Sequence, residues 1–220
     1  MRVGFIGLGN VGAKLAGSLL RNGTELIVRD LDQAAAQPLI DAGAAWGESP
    51  AAMTEQVDMM ITCLPSPAIS AAVVEGDDGI LSTLEPGQMW AEMSTTDEAE
   101  IRRLGAKVLA AGGEPIDCPV SGGCHRADTG NIAIFAGCER PTFERALPVL
   151  TMMGRRILHT GELGSASMLK VMTNYLATAN LVTLAEALVT SKMAGMDLGI
   201  TYEAIRISSG NSFVHETESQ

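Results

Sequence analysis

No two cysteines stand at CxxC spacing in this chain, and its three histidines do not fall at metal-ligand intervals from the four cysteines. That spacing argues against a zinc-type site built on Cys63, Cys118, Cys124 or Cys138. No metal is expected, and free thiols in a reducing cytoplasm fit best. Basic runs are missing too. Fifteen Lys and Arg against 26 Asp and Glu leave a formal charge of -11, which would repel a phosphate backbone, so nucleic acid is not an expected partner. An apolar run of membrane length is also absent. The longest candidate, Tyr175 to Met193, is broken by Asn180, Glu186 and Lys192, which are costly in lipid but tolerable in a helix among helices. The opening run from Val3 stops at Gly7, too short for the apolar part of a signal peptide. A cytoplasmic protein without a membrane partner is the expectation.

What is present is enough apolar sequence for one or two packed domains: 220 residues, 46% hydrophobic and 19% charged. Strand-length runs at Val3–Gly7, Glu25–Val28, Met59–Leu64 and Gln88–Met93 are separated by helical stretches. Strand and helix in alternation predict an α/β fold, doubly wound around a mainly parallel sheet. The pattern holds to about Gly154, Arg155–Thr160 reads as a last strand, and long helix follows Gly161-Glu-Leu-Gly164. The expected domains are therefore 1–160 and 161–220. Ser165 to Met193 is apolar on nearly every face, as in a helix wrapped by partners. With one more helical pattern and a polar tail after it, the second domain reads as the start of an all-helical unit, truncated here. It is expected to lean on further sequence or on another copy of the chain, in a homo-dimer or homo-tetramer.

The first strand runs straight into Gly7-Leu8-Gly9-Asn10-Val11-Gly12 and then into a helical stretch. This is the Rossmann fingerprint in its required context. Gly7 permits the tight turn, Gly9 lets the backbone approach a pyrophosphate, and Gly12 allows helix to pack on strand. The helix N-terminus, with Asn10 and Val11 at its start, faces the anion. The second strand ends in Asp30, 21 residues beyond Gly9, where a carboxylate can take the adenosine ribose hydroxyls. That carboxylate repels a 2'-phosphate and Leu31 offers no cation to hold one, so NAD is favoured over NADP. Arg29 points away by strand alternation, yet a flexible guanidinium could swing back.

Further along stand Leu64-Pro65, Ser94-Thr95, Asp117-Cys-Pro-Val-Ser-Gly-Gly123, and Gly161-x-x-Gly164 followed by Lys170-Val-Met-Thr-Asn174. Together with the glycine fingerprint these motifs resemble the β-hydroxyacid dehydrogenase family. That family includes 3-hydroxyisobutyrate dehydrogenase, tartronate semialdehyde reductase and, more distantly, 6-phosphogluconate dehydrogenase. The resemblance runs from residue 3 to about 216. It implies a Rossmann domain followed by an all-helical domain, and hydride transfer between NAD and a small, 3-hydroxyisobutyrate-like acid. Leu64, Pro65 and Thr95 would line the nicotinamide half of the site, and Ser121, Gly122 and Gly123 would hold the substrate carboxylate. Lys170 would be the acid/base and Asn174 would orient the hydroxyl.

The residues themselves agree with those roles. A Ser-Gly-Gly turn presents donors without side chains in the way. Lys170 and Asn174, four apart, share a face of a helix that is otherwise apolar, and burial lowers a lysine's pKa toward the range of proton transfer. The chain departs from the resemblance at Gly164-Ser165-Ala166, where a Gly-Ala-Gly run is usual, and at Thr173-Asn174, where an Asn pair is usual. Cys124, His125 and Arg126 replace small residues after Ser-Gly-Gly, which makes His125 a candidate contact to a polar or anionic substrate group. The later helices that supply another cofactor-contacting lysine have no counterpart before Gln220. Two other readings stay open: an imine reductase on the same scaffold, and a non-catalytic dinucleotide-sensing module. The pairs Met59-Met60 and Met152-Met153 read as core fillers, His159 as structural, and His215 as exposed in the tail.

Overall fold

The computed structural model describes residues 1–218. Strands and helices alternate as β1 (Val3–Ile6), α1 (Gly12–Arg21), β2 (Leu26–Arg29), α2 (Gln33–Asp41), β3 (Ala45–Trp46), α3 (Pro50–Thr54), β4 (Met59–Thr62) and α4 (Pro67–Glu75). Then come β5 (Met89–Glu92), α5 (Glu98–Ala110), β6 (Glu114–Asp117), β7 (Val120–Ser121), α6 (Gly123–Asp128), β8 (Ile132–Gly137), α7 (Arg140–Met153) and β9 (Gly154–Gly161). Three helices follow: α8 (Ser165–Met193), α9 (Leu198–Arg206) and α10 (Phe213–Glu218). The early helices start where side chains can take otherwise unpaired N–H groups. Asp32, Ser49, Ser66 and Asp97 each accept one from the first turn, and proline follows directly at Pro50 and Pro67.

The strands lie in the order β3-β2-β1-β4-β5-β6-β8-β7, with β9 on β8. Pairing is parallel from β3 through β6, antiparallel at β6–β8 and β7–β8, and parallel again at β8–β9. Because β2 and β4 flank β1 on opposite sides, the winding reverses there, which opens a crevice at the strands' C-terminal ends. The fold is thus Rossmann-like with a mainly parallel sheet, followed by a helical segment.

Alternation along each strand builds two cores. Val3, Phe5, Leu26, Val28, Met59, Ile61, Met89 and Ala91 point to the layer that contains Leu15 and Leu19 of α1 and Phe143 and Leu150 of α7. Ile6, Ile27, Met60 and Trp90 point the other way, onto Met53 of α3, Val74 of α4 and Ile101 and Leu104 of α5. Strands buried on both faces read as continuous apolar runs, which is why β1, β2, β4 and β5 were visible in sequence. Pro115 inside β6 is tolerated because alternate N–H groups, those of Glu114 and Cys118, serve β5. The nitrogen of Pro115 faces the β8 side, and β8 pairs with β6 only at Asp117–Gly137.

The chain packs as two compact units, Met1–Lys170 and Val171–Gln220. In the second unit, exposed apolar side chains recur along α8, among them Val171, Tyr175, Leu176, Val182 and Val189. His215, expected to be exposed, is fully buried: its ring lies 4.4 Å from that of Tyr202 and its Nε2 is 3.1 Å from the Tyr202 carbonyl oxygen. In the first unit His159 is structural, stacked 4.6 Å from Phe143 with Nε2 2.8 Å from the Cys138 carbonyl. Among the described residues, no helix is long and apolar enough to cross a membrane.

Candidate active site

A cavity of about 1010 Å³ opens at the C-terminal ends of β1, β2, β4 and β5, over the point where the winding reverses, and it lies wholly within the first unit. Its wall includes Gly7, Gly9, Asn10, Val11 and Gly12 after β1, and Asp30 after β2. Leu64 and Pro65 enter from β4, Thr95 from β5, Gly122 and Gly123 from the turn after β7, and Lys170 from the start of α8. Residues 75 or more apart in sequence, Thr95 and Lys170 or Asn10 and Gly123, are thereby gathered around one space by the sheet's crossovers.

The glycine turn is built to admit a ligand's phosphates. Gly7 has φ +98°, and a Cβ there would stand 2.2 Å from the Cys63 carbonyl oxygen. A Cβ on Gly12 would stand 1.9 Å from the oxygen of Gly7. Both glycines are thus demanded by backbone packed on backbone. Gly9 differs: nothing lies within 4 Å of its Cβ position, so its bare face is turned to open space in the cavity wall. The first turn of α1 carries no side-chain cap; its Ala13 and Lys14 N–H groups turn back to the Gly9 and Val11 carbonyls at 3.1 Å. These features fit a dinucleotide pyrophosphate.

Asp30 is held firmly in the cavity wall just beyond β2. Its Oδ2 accepts the N–H of Leu8 at 2.6 Å and its Oδ1 the N–H of Asp32 at 3.0 Å, so the carboxylate is tied to the glycine turn itself. Leu31 beside it is almost fully exposed. The Arg29 guanidinium also reaches the wall, but its Nη1 donates to the Gly47 carbonyl at 2.7 Å and its carbon lies 5.5 Å from the centre of the Trp46 ring.

At the other end of the cavity a buried carboxyl organises the β4 and β5 tips. Glu92 is fully buried, and its Oε1 accepts the N–H of Ser94 at 2.9 Å and, through a very short bond, the Ser94 hydroxyl. Ser94 Oγ accepts the N–H of Leu64 at 2.6 Å. Burial pushes the Glu92 carboxyl up from its ordinary value, against the pull of the Ser94 hydrogen bonds. Cys63, next to Leu64, has its thiol pushed up to about 12 by burial and by Glu92, which makes it a packing group rather than a nucleophile. In the same cavity wall, burial lowers the pKa of Lys170.

Not every expected residue lines the cavity. Ser121 and His125 sit in the adjoining β7–α6 segment outside its wall, His125 exposed. Asn174 belongs to the second unit and is exposed, four residues beyond Lys170 on the same helix. Glu92 and Ser94 went unread as a pair, although a charged residue inside an apolar run was a signal of a buried, partnered group.

A family model described as the NAD binding domain of 6-phosphogluconate dehydrogenase matches residues 2–161. A second, described as the NAD-binding of NADP-dependent 3-hydroxyisobutyrate dehydrogenase, matches 164–220. Over 219 residues the chain is 33% identical to 2-(hydroxymethyl)glutarate dehydrogenase of Eubacterium barkeri, covering 99% of this chain and 72% of that one. It is 33% identical over 215 residues to the mitochondrial 3-hydroxyisobutyrate dehydrogenase of Rattus norvegicus, covering 98% of this chain and 64% of that one. The chain therefore spans under two thirds of the length of the rat relative. A crystal structure of 3-hydroxyisobutyrate dehydrogenase from Salmonella typhimurium superposes with a TM-score of 0.89 at 28% identity, covering 100% of this chain and 77% of that one. With the glycine turn and the crevice already in place, these matches make the chain a member of the β-hydroxyacid dehydrogenase family, carrying its nicotinamide-dinucleotide-binding domain.

Proposed function

We propose that this protein moves hydride between NAD and a small β-hydroxyacid of the 3-hydroxyisobutyrate kind. The observation that carries the reading is Lys170: a half-buried amine of lowered pKa in the wall of the same cavity as the glycine turn and the Gly122-Gly123 backbone. A bound nicotinamide would supply the hydride acceptor. The chain's own residues would do the rest: Gly122 and Gly123, with Ser121 beside them, hold the carboxylate, while Leu64, Pro65 and Thr95 bound the nicotinamide end. Lys170 takes the hydroxyl proton, and Asn174, one helical turn on, orients the same hydroxyl. A sensing module would need no such amine. An imine reductase would not act on an alcohol, so incubation with NAD and a panel of short 3-hydroxyacids, followed by absorbance of the reduced cofactor, tests the proposal. Turnover of at least one acid is expected, and binding of NAD without turnover of any would overturn it.

NAD over NADP rests on Asp30 and on the engaged Arg29. To meet a 2'-phosphate, Arg29 would have to leave the Gly47 carbonyl and the Trp46 ring, while the Asp30 carboxylate repelled the same group. The wild type is expected to prefer NAD by more than about tenfold in kcat/KM, a difference of about 1.4 kcal/mol. Asp30→Asn with Leu31→Arg should move the preference toward NADP. Equal efficiency of the wild type with both cofactors would refute the assignment.

His125 and Arg126 are proposed as the substrate-selecting pair. A Cβ on Gly122 would lie 3.0 Å from Arg126 Cδ, so the arginine stem runs beside the anion turn. Replacing His125-Arg126 by Gly-Ala should raise KM for the best acid while leaving NAD affinity alone. Unchanged kinetics across the panel would return them to a solvated helix start. The exposed apolar residues of α8 support a homo-oligomer, expected as a dimer or tetramer in sedimentation; an active monomer would contradict it.

A further inference from the structure

Asp117 ends β6 and is fully buried. Its Oδ2 accepts the N–H of Ser167 at 2.7 Å and its Oδ1 the Ser167 hydroxyl at 2.6 Å. Backbone N–H groups of Gly164 and Ala166 add to these. Burial pushes the Asp117 carboxyl up from its ordinary value, opposed by all of these donors. The donors belong to the start of α8, where a helix cannot pair its own N–H groups. A cap from the residue directly before the helix is not available. Gly164 has φ +92°, and a Cβ there would stand 2.9 Å from Arg102 Nε and Glu98 Cγ. The cap comes instead from a strand 50 residues earlier in the chain.

We propose that Asp117 is a positioning residue, which by capping α8 from β6 sets Lys170 at the required place and angle against the Ser121–Gly123 turn; this rests on the reading of Lys170 as the proton-transferring group. Two features of chain geometry give it that leverage. Ser167 and Lys170 are three residues apart and so are neighbours on the helix surface. A slide or rotation of the first turn therefore carries the amine with it. In the other direction, Asp117 is only four residues from Ser121, so the strand that bears the cap leads directly into the anion turn. One carboxylate thus roots both the group that would take the proton and the backbone that would hold the substrate. Neighbouring Glu92, paired with Asp117 in the sheet register, serves the β4 and β5 tips through Ser94. The two buried carboxyls divide the site between them.

A double-mutant cycle tests the proposal. Asp117→Asn keeps the shape but turns an amide N–H toward donors. It should lower kcat by about 10- to 100-fold, the scale of a reacting group displaced by about 1 Å, with NAD affinity little changed. In a Lys170→Met background the same substitution should cost less than about threefold, because the group it positions is gone. Equal losses in both backgrounds would overturn the proposal and leave Asp117 a general support of the fold. Near-normal turnover of Lys170→Met alone would overturn the lysine reading instead, and the two failures are told apart by that single variant. Should Asp117→Asn not fold, Ser167→Ala removes one donor and keeps the N–H. Its expected loss of about three- to tenfold, the worth of one hydrogen bond, should vanish in the Lys170→Met background. Persistence there would again refute the positioning role.

Discussion

Lys170→Met is expected to lower kcat by about 10²- to 10⁴-fold, the usual range for losing a positioned acid/base, with dinucleotide affinity nearly unchanged. An alcohol releases hydride readily only as its proton leaves, so a proton acceptor must stand within hydrogen-bond reach of the oxygen. Lys170 lines the cavity, whereas His159 is committed to the Cys138 carbonyl and the Phe143 ring. The amine must be neutral to accept the proton. Burial lowers its pKa below the ordinary 10.5, so the rate of alcohol oxidation should rise with pH through an inflection below that value. Reduction, which needs the protonated form, should fall over the same interval. Lys170→Met should lose the inflection as well as the rate. A variant that fails only because NAD no longer binds would move the proton route elsewhere.

The same substitution at two glycines of one turn should give opposite results. Gly7→Ala forces a side chain onto φ +98° and into the Cys63 carbonyl, so it should destabilise the fold by about 2 to 4 kcal/mol. Gly9→Ala meets no protein atom within 4 Å. Its melting temperature should stay close to that of the wild type, while NAD affinity falls by more than about tenfold because the methyl occupies the space a pyrophosphate would need. Calorimetry with and without NAD separates the two outcomes. A Gly9→Ala protein that binds NAD normally would remove the pyrophosphate from this turn.

Where a structural feature depends on neighbours in sequence, it is legible in the sequence alone. The glycine turn, Asp30 and the apolar runs of β1, β2, β4 and β5 are of this kind. Glu114-Pro115-Ile116-Asp117 was not read as a strand, because one proline and two acids hide the apolar period. β3 and β7, with two residues each, are too short to show one, and the run Ile132–Gly137 fits strand and helix equally by periodicity. The site divides along the same line. Asp117 and Ser167 are 50 residues apart, and Leu64 and Ser94 are 30 apart. Only strand order brings them together. Arg29 was ambiguous for the same reason, since its anchors on Gly47 and Trp46 depend on β3 lying beside β2.

Direct hydride transfer from a β-hydroxyacid to the nicotinamide is open to one isotope measurement. The purified protein is incubated with NAD and the best 3-hydroxyacid with every hydrogen on its carbinol carbon replaced by deuterium, and the mass of the reduced cofactor is recorded. A single deuterium in each reduced nicotinamide is the predicted result. Reduced cofactor free of the label, or NAD that binds and is never reduced by any acid of the panel, would contradict it.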